Sequence, residues 1–311
     1  MPATARSTAE RPSDRLKRVV GARAAFRAIS VSWAPQEDFM AAAEEVRLLA
    51  LEAPGEQQTA IQLISKIGTG KTRGAKRFIA NLLAREEHAD GTIPAALARL
   101  DGTGTTASVP TAILRALGAP RPDHGTEELR WLRARSAIRE RRTGLVFFDE
   151  CNRLNRRPTV SPIIADNFRE FLDEGLVGLA FLGTEEATKM FARCPALVDR
   201  LDAPVAMDPI DWLIDADRDA VTEFADRLDH AIVGAGLLTR RIGLKNPDVL
   251  QPLVEAGAGT LRRICGVIER AVCASIGDHT TRVTRADLAD AVDAWLMPKG
   301  LLDHNPFSER S

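Results

Sequence analysis

Cysteine is scarce in this chain. Cys151, Cys194, Cys265 and Cys273 are all it has, and no two of them stand at a metal-ligand spacing. That excludes a paired-cysteine zinc site and makes reduced, packed thiols the expectation. The five histidines form no cluster either. No apolar run is long enough to cross a bilayer, and the basic N-terminus is not followed by the apolar core of a signal peptide. A cytoplasmic location and no membrane partner are therefore expected. A net charge of −1 gives no global attraction to nucleic acid, so any such binding must use a local patch or an assembled surface.

What is present is ordinary for a soluble globular protein, with 45% hydrophobic and 27% charged residues. At 311 residues the chain can bury two compact units. The stretch Thr59 to Phe78, TAIQLISKIGTGKTRGAKRF, reads as a short strand, a glycine-bearing loop and the start of a helix. Ser65, Lys66, Ile67, Gly68, Thr69, Gly70, Lys71 and Thr72 fit the phosphate-binding pattern G-x-x-x-x-G-K-[ST] except at the first position, where Ser65 stands for glycine. Gly68 and Gly70 let backbone N–H groups turn inward around a phosphate, and the following helix adds its positive dipole end. Lys71 can reach the β and γ phosphates of ATP, and the Thr72 hydroxyl can hold Mg²⁺. A β-carbon at Ser65 would tighten the approach to the phosphates, and a plain glycine turn is the alternative reading.

Residues 1–36 read as a basic arm, with Arg6, Arg11, Arg15, Lys17, Arg18, Arg23 and Arg27 against Glu10 and Asp14. It is either a solvated tail or a contact for nucleic acid or a partner. Glu37 to Leu51 has Phe39, Met40, Ala43, Val46, Leu49 and Ala50 at helical spacing. After the phosphate-loop helix, His88 to Thr92 make a turn, and Pro94 to Asp101 form a second strand. A helix around Pro110 ends at Gly118. The run Glu127 to Arg142 packs through Leu129, Leu132 and Ile138.

Gly144 to Glu150, GLVFFDE, has the apolar run of a strand buried on both faces, with its acids at the carboxyl end where α/β sheets bind ligands. Asp149 would bind Mg²⁺, and Glu150 would orient or deprotonate the attacking water. A helix cap is the plainer reading of the pair. Val160 to Leu172 is a helix with Ile163, Ile164, Phe168, Phe171 and Leu172 inward. Val177 to Leu182 is a strand running into Gly183 and Thr184, a polar strand end able to meet the γ-phosphate or its water. Arg200 precedes a fifth strand at Val205 to Met207. It either projects toward a neighbour's nucleotide or pairs on the surface with Asp199 or Asp202. Beyond Asp208 only helices are expected, and Arg262 or Arg263, opening one of them, either folds back onto the phosphates or is exposed.

This order of parts resembles the AAA+ ATPases. AILRALGAP at Ala112 to Pro120, LVFFDECNRL at Leu145 to Leu154 and FLGTEEA at Phe181 to Ala187 resemble the TniB/TnsC group of transposition ATPases. The resemblance implies an α/β core at 37–208 with a five-stranded parallel sheet flanked by helices, an all-helical lid at 209–300 and a C-terminal tail at 301–311. It implies an ATPase using ATP and Mg²⁺. Such a protein assembles as a ring or filament on double-stranded DNA, and recruits or stimulates a transposase or other transposition proteins. Lys71, Thr72, Asp149, Glu150, Thr184 and Arg200 match the family's positions, with a DNA contact expected near Arg99 to Thr106. No transposase-like carboxylate triad is present, so strand transfer would belong to a partner. Helicase loaders, other replication accessory ATPases and nucleotide-dependent protein adaptors with little hydrolysis are the competing classes.

Overall fold

The computed structural model describes residues 12–85, 90–102, 104–156, 159 and 161–308. Of the residues singled out above, Arg6, Glu10, Arg11, His88, Thr103 and Val160 lie outside it. The chain divides into two compact units, one of residues 34–208 and the other of residues 1–33 with 209–311.

Residues Pro12–Ala28 form α1, which belongs to the second unit. The first unit opens with α2 (Ala34–Glu52) and continues through β1 (Ala60–Ile64), α3 (Lys71–Leu83), β2 (Ala95–Arg99), α4 (Ser108–Ala116), α5 (Glu127–Arg141) and β3 (Leu145–Asp149). A 3-10 turn at Cys151–Arg156 leads to α6 (Ser161–Asp173), β4 (Gly178–Gly183), and the short helices α7 (Thr188–Phe191) and α8 (Pro195–Val198). The strands make one parallel sheet in the order β1-β4-β3-β2. Because side chains alternate along a strand, Leu145 and Phe147 pack with Phe39 and Phe78 of α2 and α3 on one face, while Val146 and Phe148 pack with Ile113, Ile138 and Phe168 of α4, α5 and α6 on the other.

The sheet has four strands, not the five expected. The segment after Arg200 does lie alongside β1: Ala60 N–H donates to Arg200 O (2.9 Å), Asp202 N–H donates to Ala60 O (2.8 Å), and Ala60 bridges to Leu201. In a parallel ladder of this register the Gln62 carbonyl would accept from the N–H of residue 204, which is proline and has none. Val205 N–H reaches Gln62 O instead, at 3.3 Å, and the ladder stops there.

Helix faces also differ in phase from the expectation. On α5 the buried residues are Trp131, Ala134 and Ile138, whereas Leu129 and Leu132 are exposed, the latter at 63%. The wide indole at Trp131 takes the position against Phe171 (centroids 5.5 Å apart) and turns the leucines outward. Leu49 of α2 and Ile163 of α6 are exposed as well.

The second unit is helical. It contains α1, α9 (Asp215–Gly234), α10 (Pro247–Ala256), α11 (Leu261–Gly277) and α12 (Arg285–Trp295). The segment read as a basic arm is therefore, over Pro12–Ala28, a helix whose Ala22 and Phe26 enter this unit's core. Its arginines find partners within the unit, Arg18 on the Gly277 carbonyl and the other three on carboxylates. Arg23 and Arg27 pair with Glu269, and Arg15 with Asp278. Thr284 caps α12 in a reciprocal box with Asp287, as its spacing predicts. Asp229 of α9 is 2% exposed and accepts from the N–H groups of Ile242, Gly243 and Leu244 at 2.8, 2.7 and 3.0 Å, which holds the loop between α9 and α10. Asp229→Ala strands those donors, so it should cost about 2 kcal/mol or more and lower the urea midpoint of the helical unit's unfolding. An unchanged midpoint would show that the carboxylate does not hold the loop.

Candidate nucleotide site

All strands are parallel, so their carboxyl ends share one edge of the sheet, and the candidate groups of the first unit gather there with one exception. Ile64, at the end of β1, is in register with Gly183, at the end of β4, and Ser65 N–H donates to Gly183 O at 3.1 Å. Thr184 therefore sits beside the start of the 65–72 loop. Asp149 ends β3, in register with Leu182 on one side and Arg99 on the other.

Within the loop Gly68 and Gly70 have φ of 96° and 115°, a backbone that residues with a β-carbon rarely adopt. A β-carbon at Gly70 would also come within 2.7 Å of the Gln36 amide, which donates to Gly70 O at 3.1 Å. No side chain caps the N-terminus of α3. Lys71 folds its ammonium over the loop, donating to Ser65 O at 2.8 Å and Lys66 O at 2.7 Å.

Ser65 needs no glycine here. It is not among the positive-φ residues, and it is 2% exposed. Its hydroxyl shares a 2.8 Å hydrogen bond with the Thr69 hydroxyl and donates to Met207 O at 2.7 Å. The serine thus braces the loop against the segment beside β1. Ile67 and Lys66 are the exposed members of the loop, the isoleucine at 70%.

The Thr72 hydroxyl lies 3.2 and 3.1 Å from the two oxygens of Asp149. A hydroxyl and a buried carboxylate are hard oxygen donors, the set that suits Mg²⁺. Asp149 also accepts from Glu150 N–H at 3.0 Å. Glu150 has φ 67°, a left-handed backbone that costs about 1–2 kcal/mol for a residue with a β-carbon, and this turns the chain out of the sheet immediately after Asp149. Its carboxylate is 3.5 Å from Arg153, whose guanidinium donates to Leu100 O at 3.2 Å. Cys151 is fully buried beside these acids. Burial first, then the charge of Asp149, raise its thiol far above the usual range, so it is a packing residue and no nucleophile.

Three neighbours of the site escape motif reading. Gln36 is far back in the sequence. Arg153 follows the acidic pair, and Arg99 approaches Asp149 to 3.9 Å only because β2 pairs with β3 in this register.

Arg200 is the exception. It lies at the amino end of β1, beside Ala60, and a five-residue strand separates it from the loop by about 13–17 Å. Its guanidinium is bound to Asp173 (3.0 and 3.4 Å) and Ala196 O (3.0 Å), not to Asp199 or Asp202. Arg262 and Arg263 stand in the first turn of α11 in the other unit, the former exposed and the latter half-buried.

Residues 55–191 match the family model described as AAA domain. No curated protein matches the chain significantly. Among solved structures the fold is similar to that of the ORC1 protein of Aeropyrum pernix in complex with DNA, at 19% identity and TM-score 0.61, over 88% of this chain and 69% of that one. It is similar to the ORC2 protein of Aeropyrum pernix in its ADPNP-ADP complexes, at 14% identity and TM-score 0.59, over 83% and 66%. It is also similar to Drosophila ORC bound to DNA, at 14% identity and TM-score 0.56, over 95% and 70%. The chain spans about two thirds of the length of each. Residues 55–191 are thus similar to an AAA domain, and the chain shares an α/β fold with these solved structures.

Proposed function

We propose that this protein is an ATP-dependent regulator of DNA transposition of the TniB/TnsC kind. It assembles on double-stranded DNA as a ring or filament and recruits or stimulates a transposase. The observation that carries the nucleotide part of this reading is the contact of the Thr72 hydroxyl with both oxygens of Asp149, beside a loop already curled by Gly68 and Gly70. Bound Mg²⁺ would neutralise charge on the β and γ phosphates. Thr72 and Asp149 would hold it. Lys71 would exchange its two loop carbonyls for phosphate oxygens, and Glu150 would take a proton from the attacking water with Thr184 helping to orient it. Arg262 or Arg263, on a helical unit acting as a lid, would read the phosphates. The transposition part rests on the phrases around Ala112, Leu145 and Phe181. The DNA part is supported by a fold shared with proteins solved bound to DNA.

Imaging the purified protein with duplex DNA and a slowly hydrolysed ATP analogue tests the assembly. Rings or filaments are expected, and dispersed monomers under both ligands would refute it. Lys71→Ala should lose nucleotide binding while melting normally, which a nucleotide titration checks. Glu150→Gln should still bind but hydrolyse about a hundredfold more slowly or worse, and a wild-type rate would remove Glu150 from the chemistry.

Arg200 lies at the far edge of its own sheet, so a catalytic role requires a neighbouring subunit's site and release from Asp173. Arg200→Ala should then keep nucleotide binding and lose about 10³ in rate. Mixing it with Glu150→Gln in confirmed co-assemblies should recover activity at interfaces that hold both intact halves. No recovery would leave Arg200 as a surface ion pair.

A further inference from the structure

The second unit carries a group of cations that the nucleotide site does not use. The loop between α9 and α10 reads Leu238-Thr239-Arg240-Arg241-Ile242-Gly243-Leu244-Lys245. Leu238 and Leu244 are buried, at 3% and 0% exposure, and the Asp229 carboxylate holds the loop from below through three N–H groups. From the side, Thr239 N–H donates to Thr281 O at 3.0 Å, and the two threonine hydroxyls meet at 3.1 Å. That second loop is itself pinned by Ser275, whose hydroxyl is within hydrogen-bond distance of Thr280 O (3.1 Å) and Arg282 O (2.9 Å).

The paired threonines set Arg240 and Arg282, each the next residue along, on neighbouring strands of chain. Both are exposed and have no ion-pair partner among the described residues. Arg241 and Lys245 are exposed too, and both lean on one carboxylate, Asp226, at 3.1 and 3.2 Å, with His230 at 3.7 Å. Four permanent cations thus face solvent, and Asp226 is the carboxylate paired with any of them. Asp229 is buried and engaged by backbone N–H groups, and Asp278, in the loop that carries Arg282, is exposed but engaged by Arg15.

We propose that this face, made by Arg240, Arg241, Lys245 and Arg282, binds the phosphodiester backbone of duplex DNA. The cations are mounted on braced loops, so little ordering cost remains to be met on contact. Neither loop exposes a large hydrophobic side chain to anchor a protein partner, nor a phenylalanine or tryptophan on which single-strand bases would stack; the exposed ring there is the His279 imidazole. What remains is charge presented to phosphate, which positions a protein on a duplex without reading its sequence. The contact is separate from the one expected near Arg99 to Thr106, and it rests on the reading that the protein works on DNA.

The test is fluorescence anisotropy of the full chain with a labelled duplex of arbitrary sequence, across a salt series. The wild type is compared with R240A/R282A, chosen because neither arginine leaves an ion-pair partner behind, and with R218A/R227A on α9 as control. The slope of log affinity against log salt should fall by about 2 for R240A/R282A, with affinity down about tenfold and the melting temperature unchanged. The control pair should leave the slope alone. If the wild type binds and R240A/R282A matches it in slope and affinity, the patch is refuted while the DNA reading stands. If the wild type binds no duplex even at low salt, both fall. Displacement of the duplex by polyglutamate of equal charge as readily as by unlabelled DNA would also overturn the proposal, in favour of an acidic protein partner.

Discussion

Burial of β3 on both faces is the constraint from which the nucleotide site follows. A strand flanked by two others and covered by helices on each side can carry only apolar side chains along its length, so its acids are confined to its end. The parallel register then brings Asp149 to the edge where β1 releases the 65–72 loop and β4 ends at Thr184. Thr72, on the first turn of α3, meets Asp149 because the loop is short and turns through two glycines. The site is a consequence of packing. Lengthening the polar end of β3 inward, or shifting its register by one residue, would bury a carboxylate among Phe147, Phe148 and Phe181 at a cost of several kcal/mol.

The polar groups of the loop also satisfy one another. The Lys71 ammonium rests on two loop carbonyls, Ser65 ties the loop to Met207, and Arg153 holds Glu150 toward the end of β2. Each contact is a hydrogen bond or ion pair of modest net value in water. Ser65 is different in kind. Its hydroxyl is buried, and it takes part in the fold of the loop.

In the helical unit the same economy appears in polar form. One buried carboxylate, Asp229, organises a whole connection by accepting three successive N–H groups, and the cations that flank those groups, Arg240, Arg241 and Lys245, are exposed, the last two paired with Asp226. Basic residues that looked like a free arm at the N-terminus are, in contrast, absorbed. Over Pro12–Ala28 they lie on a helix packed into the unit's core and meet Glu269 and Asp278. Charge in the sequence therefore did not locate unpaired charge on the surface.

By itself the sequence determined the glycine loop, the hydroxyl and lysine that follow it, the buried strand with its terminal acids, and the helical character after Asp208. Each is local: a spacing of a few residues, a run of apolar side chains, a capping pair such as Thr284 and Asp287. Tertiary structure decided what depends on partners distant in the chain. The fifth strand was lost because the register against β1 asks for an N–H at Pro204. Trp131 displaced Leu129 and Leu132 from the core because it alone fills the space against Phe171. Arg200 found Asp173 and not its sequence neighbours, and Arg240 came beside Arg282 only through the pairing of Thr239 with Thr281. Periodicity marks which residues share a face; the volume and hydrogen-bonding groups of the opposing element determine which of them it accepts.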